Sequence, residues 1–185
     1  MVCSFYTYAG PLVAAGGLHP ITVCELLADP TAYDGRQVAL LGKWADSHFD
    51  GVWLSEDRCE SRLITDGYEW PNEVWIRNDN SAPTPPKGLL VLDSHALDEK
   101  LASVHRTTSL GLEEIAFLGK DGGGTRQVKQ HWAVIFGRIE ARKQLHPPNR
   151  PTNDWGNGFG QMNSAPVQII AKQENTFYLQ DNASR

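Results

Sequence analysis

A chain of 185 residues fits one domain with room for long insertions, and it is large enough to bury a core of its own. With 41% hydrophobic and 21% charged residues, the composition excludes a chain disordered throughout, and no apolar run approaches the roughly 20 residues that span a bilayer. The formal charge of -5 comes without a basic stripe to attract phosphate backbones, so tight nucleic-acid binding is disfavoured.

In chain order, the segment before Ile21 holds an apolar patch from Tyr8 to Ala15 without a positively charged lead-in or a convincing small-residue cleavage site. No complete secretory signal is visible, and residues 1–20 read as a poorly ordered segment. One domain is expected over 21–172, followed by a tail over 173–185. Thr22-Val-Cys-Glu25 has the capping-box pattern, in which the threonine hydroxyl and the glutamate carboxylate each accept from the other's backbone N–H. The helix it starts is expected to turn Cys24, Leu27 and Tyr33 inward and to break or restart at Asp29-Pro30. Asp34-Gly35 then turns the chain into a first strand, where Val38, Leu40, Gly42 and Trp44 alternate with Ala39, Leu41, Lys43 and Ala45. Both faces are apolar at first, as in a strand covered on two sides. Gly42 sits where a curving strand would bring a side chain into its neighbour, and Ala133-Val-Ile-Phe-Gly137-Arg-Ile139 repeats the pattern late in the chain. Two bent strands imply a small closed sheet.

Gly51 opens a second strand over Val52–Ser55, and the charged loop Glu56–Arg62 leads by way of Leu63-Ile64 and Gly67–Pro71 to a third, Val74–Arg77. Pro71 holds Trp70 extended. The segment 78–88, with Pro83, Pro85 and Pro86, reads as an irregular loop, and Leu89–Leu92 as a short strand. Asp93 or Ser94 caps a second helix that places Leu97, Leu101 and Val104 on one face against the barrel. The stretch 107–118 fits helix and strand equally, and 120–125 is a flexible turn. A fourth strand runs from Gln127 to Lys143, a loop rich in glycine, asparagine and proline fills 149–164, and a fifth strand covers 165–172. Three strands, a helix and two strands is the order of an OB-fold, so the expectation is a mainly β protein: a five-stranded, OB-fold-like barrel with two short α-helices.

The aromatic residues are the most suggestive chemistry. Trp44, Trp53, Trp70, Trp75 and Trp132 lie in or beside strands, and OB-folds use exposed strand aromatics to stack bases or sugars. Core filling is the competing use. Trp44, Trp53 and Trp75, with Arg36, Lys43 and Arg138, are the ligand-binding candidates. Asp46, His48 and Asp50 alternate, so an extended backbone would put two carboxylates and an imidazole on one side as a metal set; a solvated hairpin turn explains them as well. His95 and His105 share no helix face. The run Gly122–Gly124 lacks the lysine and hydroxyl residue that would follow it in a P-loop. Ser55 and Ser61 lack a nucleophile elbow, and Cys59 lacks a recognisable histidine partner. Arg138, Glu140 and Arg142 share a face as a solvated charge ladder. These features point to a binding or interaction module, not an enzyme, with no cofactor and no membrane span. A protein, small-molecule or oligosaccharide ligand is favoured over nucleic acid. The alternatives are a single-stranded nucleic-acid-binding OB domain and an enzyme with an unrecognised metal or carboxylate site.

Several of these stretches together resemble a group of bacterial OB-fold-like proteins without an assigned activity, many of which carry export signals. They are Val23-Cys-Glu-Leu-Leu27, Tyr33-Asp-Gly-Arg-Gln-Val38 with Gly42, Cys59, Thr65-Asp-Gly-Tyr-Glu-Trp-Pro71, Val74-Trp-Ile76, Gly137-Arg138 and Gly158–Val167. The resemblance spans Ile21 to Lys172. It implies an exported or periplasmic location in preference to a cytoplasmic one, and on that ground it favours a Cys24–Cys59 disulfide that leaves Cys3 outside the barrel. In a reducing compartment Cys24 would instead be a small apolar core residue and Cys59 an exposed thiol.

Overall fold

Chain segments with apolar residues on both faces must be covered on both, and the two glycine-bearing runs are. In the computed structural model, residues 18–47, 51–82, 93–107, 131–149 and 154–178 are described. Their elements in order are β1 (Pro20–Thr22), α1 (Val23–Ala28), α2 (Pro30–Tyr33), β2 (Gln37–Ser47), β3 (Gly51–Ser55), β4 (Ile64–Thr65), β5 (Tyr68–Glu69), β6 (Glu73–Asn78), α3 (Ser94–Thr107), β7 (His131–Ala141), β8 (Val167–Ala171) and β9 (Thr176–Tyr178). Hydrogen bonding runs β2-β3-β6-β8-β7 and returns from β7 to β2, which closes a five-stranded mixed barrel. The β6–β8 pair is parallel, and the other four are antiparallel.

The two 11-residue strands hold this closure together. They pair from Gln37 opposite Arg138 to Trp44 opposite His131. On its other edge, β2 takes β1 at Ala39–Leu41 and β3 at Lys43–Ser47. On the other edge of β7 lie β8, at Arg138–Ala141, and β9, at Ala133–Ile135. Sheet structure therefore continues past Lys172 into the expected tail, because the backbone groups of Ala133–Ile135 on that edge need partners that β8 does not reach.

Alternation sends Val38, Leu40, Leu54, Val74, Ile76, Ala133, Ile135, Ile139, Val167 and Ile169 into the barrel. On the outer side of the seam, Ala39, Leu41, Trp132, Val134 and Phe136 meet Leu97 and Val104 of α3, with Leu101 beside them. The Asp93 carboxylate caps α3 by accepting from Ala96 N at 3.0 Å. Close approach requires the two glycines: a Cβ on Gly42 would stand 2.9 Å from Val23 Cγ2, and one on Gly137 would stand 2.6 Å from Ile169 Cγ1.

The capping box of α1 is formed, with Thr22 N donating to Glu25 (2.9 Å) and Glu25 N to Thr22 Oγ1 (3.1 Å). Its buried face is Val23, Leu26 and Leu27, at helical spacing: of the residues expected to turn inward, Leu27 does, Tyr33 of α2 is partly buried against the same cluster, and Cys24 lies off that face. Cys24 is half-buried and turned toward the charged loop, where its sulfur is at bonding distance from that of Cys59 and the Cα atoms are 5.1 Å apart. Asp29-Pro30 restarts the helix as α2, since Asp29 accepts from Ala32 N at 3.1 Å and proline tolerates a first-turn position. Among the described residues the α-helices are thus three where two were expected, the restart at Pro30 adding one. The expected strand at 89–92, the stretch 108–118, Gly122–Gly124, residues 127–130 of the fourth strand, and Cys3 lie outside the described residues.

Candidate functional site

Because the interior claims Leu54, Val74 and Ile76, the same alternation turns Trp53, Glu73 and Trp75 outward. Trp53 lies opposite Trp75 across β3 and β6, with Ser55 opposite Glu73. The row continues through Gln168 on β8 to Glu140 on β7, where Gln168 Nε2 donates to the Glu140 carboxylate at 2.7 Å. Two walls rise from this floor. One is the β4–β5 hairpin, whose turn residues Asp66 and Gly67 both have positive φ, as a two-residue hairpin loop requires. It presents Tyr68, packed edge-on to the buried Trp70 with ring centres 5.2 Å apart, while Trp70 Nε1 donates to Thr65 Oγ1 at 2.7 Å.

The second wall is the connection from β7 to β8. Asn149 and Asp154 exchange backbone hydrogen bonds, His146 pairs with the Asp154 carboxylate at 2.7 Å, and Asn157 accepts from His146 N at 2.7 Å and donates to Gln144 O at 2.9 Å. Arg142 lies over the Phe159 ring, 4.6 Å from its centre. This scaffold holds out Trp155 and Met162, which are 50% and 55% exposed, and Met162 and Asn163 both adopt left-handed backbone. Floor and walls border an open groove of about 770 Å³, within the range of small-molecule sites.

The six-membered ring of Trp75 is fixed from two directions, since a Cβ on either Gly51 or Gly160 would stand 2.3 Å from it. Beside it, burial raises the Glu73 carboxyl above the ordinary carboxylate range, opposed by a hydrogen bond from Ser164. At the rim the His146 hydrogen bond, followed by that from Gly156 N, holds Asp154 below it. The described lining contains Asp66 and Glu73 but neither lysine nor arginine.

Comparison of the chain with family models, with curated proteins and with solved structures found no match.

Of the described residues singled out in the sequence as ligand-binding candidates, the fold brings Trp53 and Trp75 together in the groove and sends Trp44, Lys43, Arg36 and Arg138 elsewhere. Trp44 is half-buried and packs on the interior cluster. Lys43 is 6% exposed and ion-paired with Asp57, so it is a buried structural cation. Arg36 and Arg138 are exposed beside the β2–β7 seam, and neither lines the groove. Glu140 and Arg142 share an outer face with Arg138 but are engaged with Gln168, Phe159 and Asn157 O, so the ladder is only partly solvated. Asp46 is exposed opposite Val52, whereas His48 and Asp50 lie outside the described residues. No group of three metal-ligating side chains occurs among the described residues. His95 is exposed and 3.6 Å from Glu99. Glu73, Tyr68, His146, Trp155 and Met162 were not anticipated. Strand alternation from Trp75 signals Glu73, but the loop residues have no periodic signal.

Proposed function

We propose that the chain is a non-catalytic binding module on an OB-fold-like barrel, with its ligand seated in the Trp53–Trp75 groove. The strand order, with a helix between the third and fourth barrel strands and a parallel pair between the third and fifth, supports the OB reading. The groove lies on the face of the second and third barrel strands and beside the loop joining the fourth to the fifth, where OB-folds take ligands. The exposed Trp155 and Met162, which line the groove together with Trp53 and Trp75, are the observation that carries the reading, because a contiguous apolar patch left in water marks an interaction site. Without lysine or arginine in its described lining, the groove suits an uncharged or cationic ligand better than a nucleic acid, whose phosphates need counter-charge. The Cys24–Cys59 bridge fits an oxidising compartment, in line with the exported proteins the sequence resembles.

Intrinsic tryptophan fluorescence tests the reading against a panel of neutral oligosaccharides, organic cations and single-stranded DNA. A saturable change with one uncharged or cationic compound is expected, weakened about tenfold or more in Trp155→Ala, in line with the cost of losing an aromatic contact. Submicromolar binding of single-stranded DNA at physiological salt would overturn the preference against nucleic acid.

A further inference from the structure

Resting on the binding-module reading, we propose that the groove takes a small molecule bearing an alkylated ammonium group. The cation sits among the indoles of Trp53, Trp75 and Trp155, beside the Glu73 carboxylate. Charge complementarity sets the sign of the ligand. The described lining holds two carboxylates, Asp66 and Glu73, while its histidine, His146, is already paired with Asp154. Among the described lining residues an anion would meet both carboxylates without a lysine or arginine to offset them. A neutral sugar would stack on the rings yet bring Glu73 no charge, only a hydrogen bond of the kind Ser164 already supplies. A cation gains from both, because the negative face of an indole attracts positive charge as the carboxylate does.

The walls set the kind of cation. Besides the indoles they present Tyr68, Pro147, Pro148 and Met162. A bare ammonium would give up its hydration against these surfaces, whereas an alkylated one carries its charge behind methyl groups that pack on them. The clamping of Trp75 by Gly51 and Gly160 means that the ring need not be ordered on binding. Glu73 is half-buried and has lost part of its water, so a cation placed there opposes the effect of burial on that carboxyl.

Choline and its uncharged isostere 3,3-dimethylbutan-1-ol differ only in the replacement of a quaternary nitrogen by a quaternary carbon, and titrating both into the full chain isolates the charge. Calorimetry and tryptophan fluorescence are expected to show saturable choline binding, with the isostere about tenfold weaker or more. Glu73→Gln should weaken choline about tenfold while leaving the isostere unchanged, and its melting curve verifies that it is folded. Equal affinity for the two compounds, or an unchanged choline affinity in Glu73→Gln, would overturn the inference. So would a trimethyllysine peptide binding more tightly than choline, which would make the occupant a protein. If a neutral oligosaccharide binds, and is lost in Trp155→Ala, while choline does not, the inference fails and the binding-module reading stands. If no member of either panel binds, both fail.

Discussion

Glu73 is held in the groove against its own preference for water, and the sign of the consequence can be worked out. Its folded pKa lies above the unfolded value because burial outweighs the Ser164 hydrogen bond. The native state therefore takes up the proton first, and stability falls as pH rises from the ordinary carboxylate value through the raised one. Glu73→Gln keeps a polar side chain and removes the buried charge, so a higher melting temperature is expected at pH 7. The gap to the parent chain should close as the pH drops below the ordinary glutamate range; equal melting at both pH values would show that the charge costs nothing there. Gly42 and Gly137 make a second test, since a valine at either must displace atoms that an added Cβ would meet at under 3.0 Å. Each substitution is expected to cost about 1–3 kcal/mol by urea denaturation, and unchanged curves for both would remove the close-approach argument. These two glycines were legible in the sequence because they interrupt otherwise apolar runs of period two. Lys43 was not. Its strand position reads as exposed, and only the return of Asp57 from a separate loop explains how a cation can be buried there.

Among the elements, α1 has only six residues and cannot be stable by itself, so its capping box, its apolar face and the bridge through Cys24 must hold it together. The buried carboxylate of Glu56 assists by accepting from Cys24 N at 2.9 Å. Closing a loop over a sequence separation of 35 should contribute roughly 3–4 kcal/mol. The double variant Cys24→Ser, Cys59→Ser should lose that much in urea titration. Thiol counting on denatured, unreduced protein should find Cys3 alone, and three free thiols would eliminate the bridge. Strands long enough to show alternation were legible in place, but facing was legible only in part, since Trp44, a candidate binding aromatic, packs on the interior cluster. The two-residue strands β4 and β5 are too short to show a period, and only the Asp66-Gly67 turn announces them. The wall built from residues 142–149 and 154–166 is held by bonds made by Asn157 and Asp154, which no hydropathy pattern encodes. For that reason half of the candidate site was invisible beforehand while its floor was not.

For the whole molecule, the order of strands and helix was enough to expect a closed barrel. It did not say which outer face would carry a groove, because every strand alternates and the site needs segments from three separate regions of the chain. The closure itself runs from Gln37 paired with Arg138, the most distant pair in the barrel, to Trp44 paired with His131. Its consequence appears while the chain is still being made. β2 leaves the ribosome well before β7, and at about 5–20 residues per second the lag of roughly ninety residues amounts to about five to twenty seconds. Throughout that interval a long strand, apolar on both faces, offers an unpaired edge to any nascent chain nearby. The protein's exposure to aggregation is thus set during synthesis by the distance between two strands, before its finished stability has any bearing.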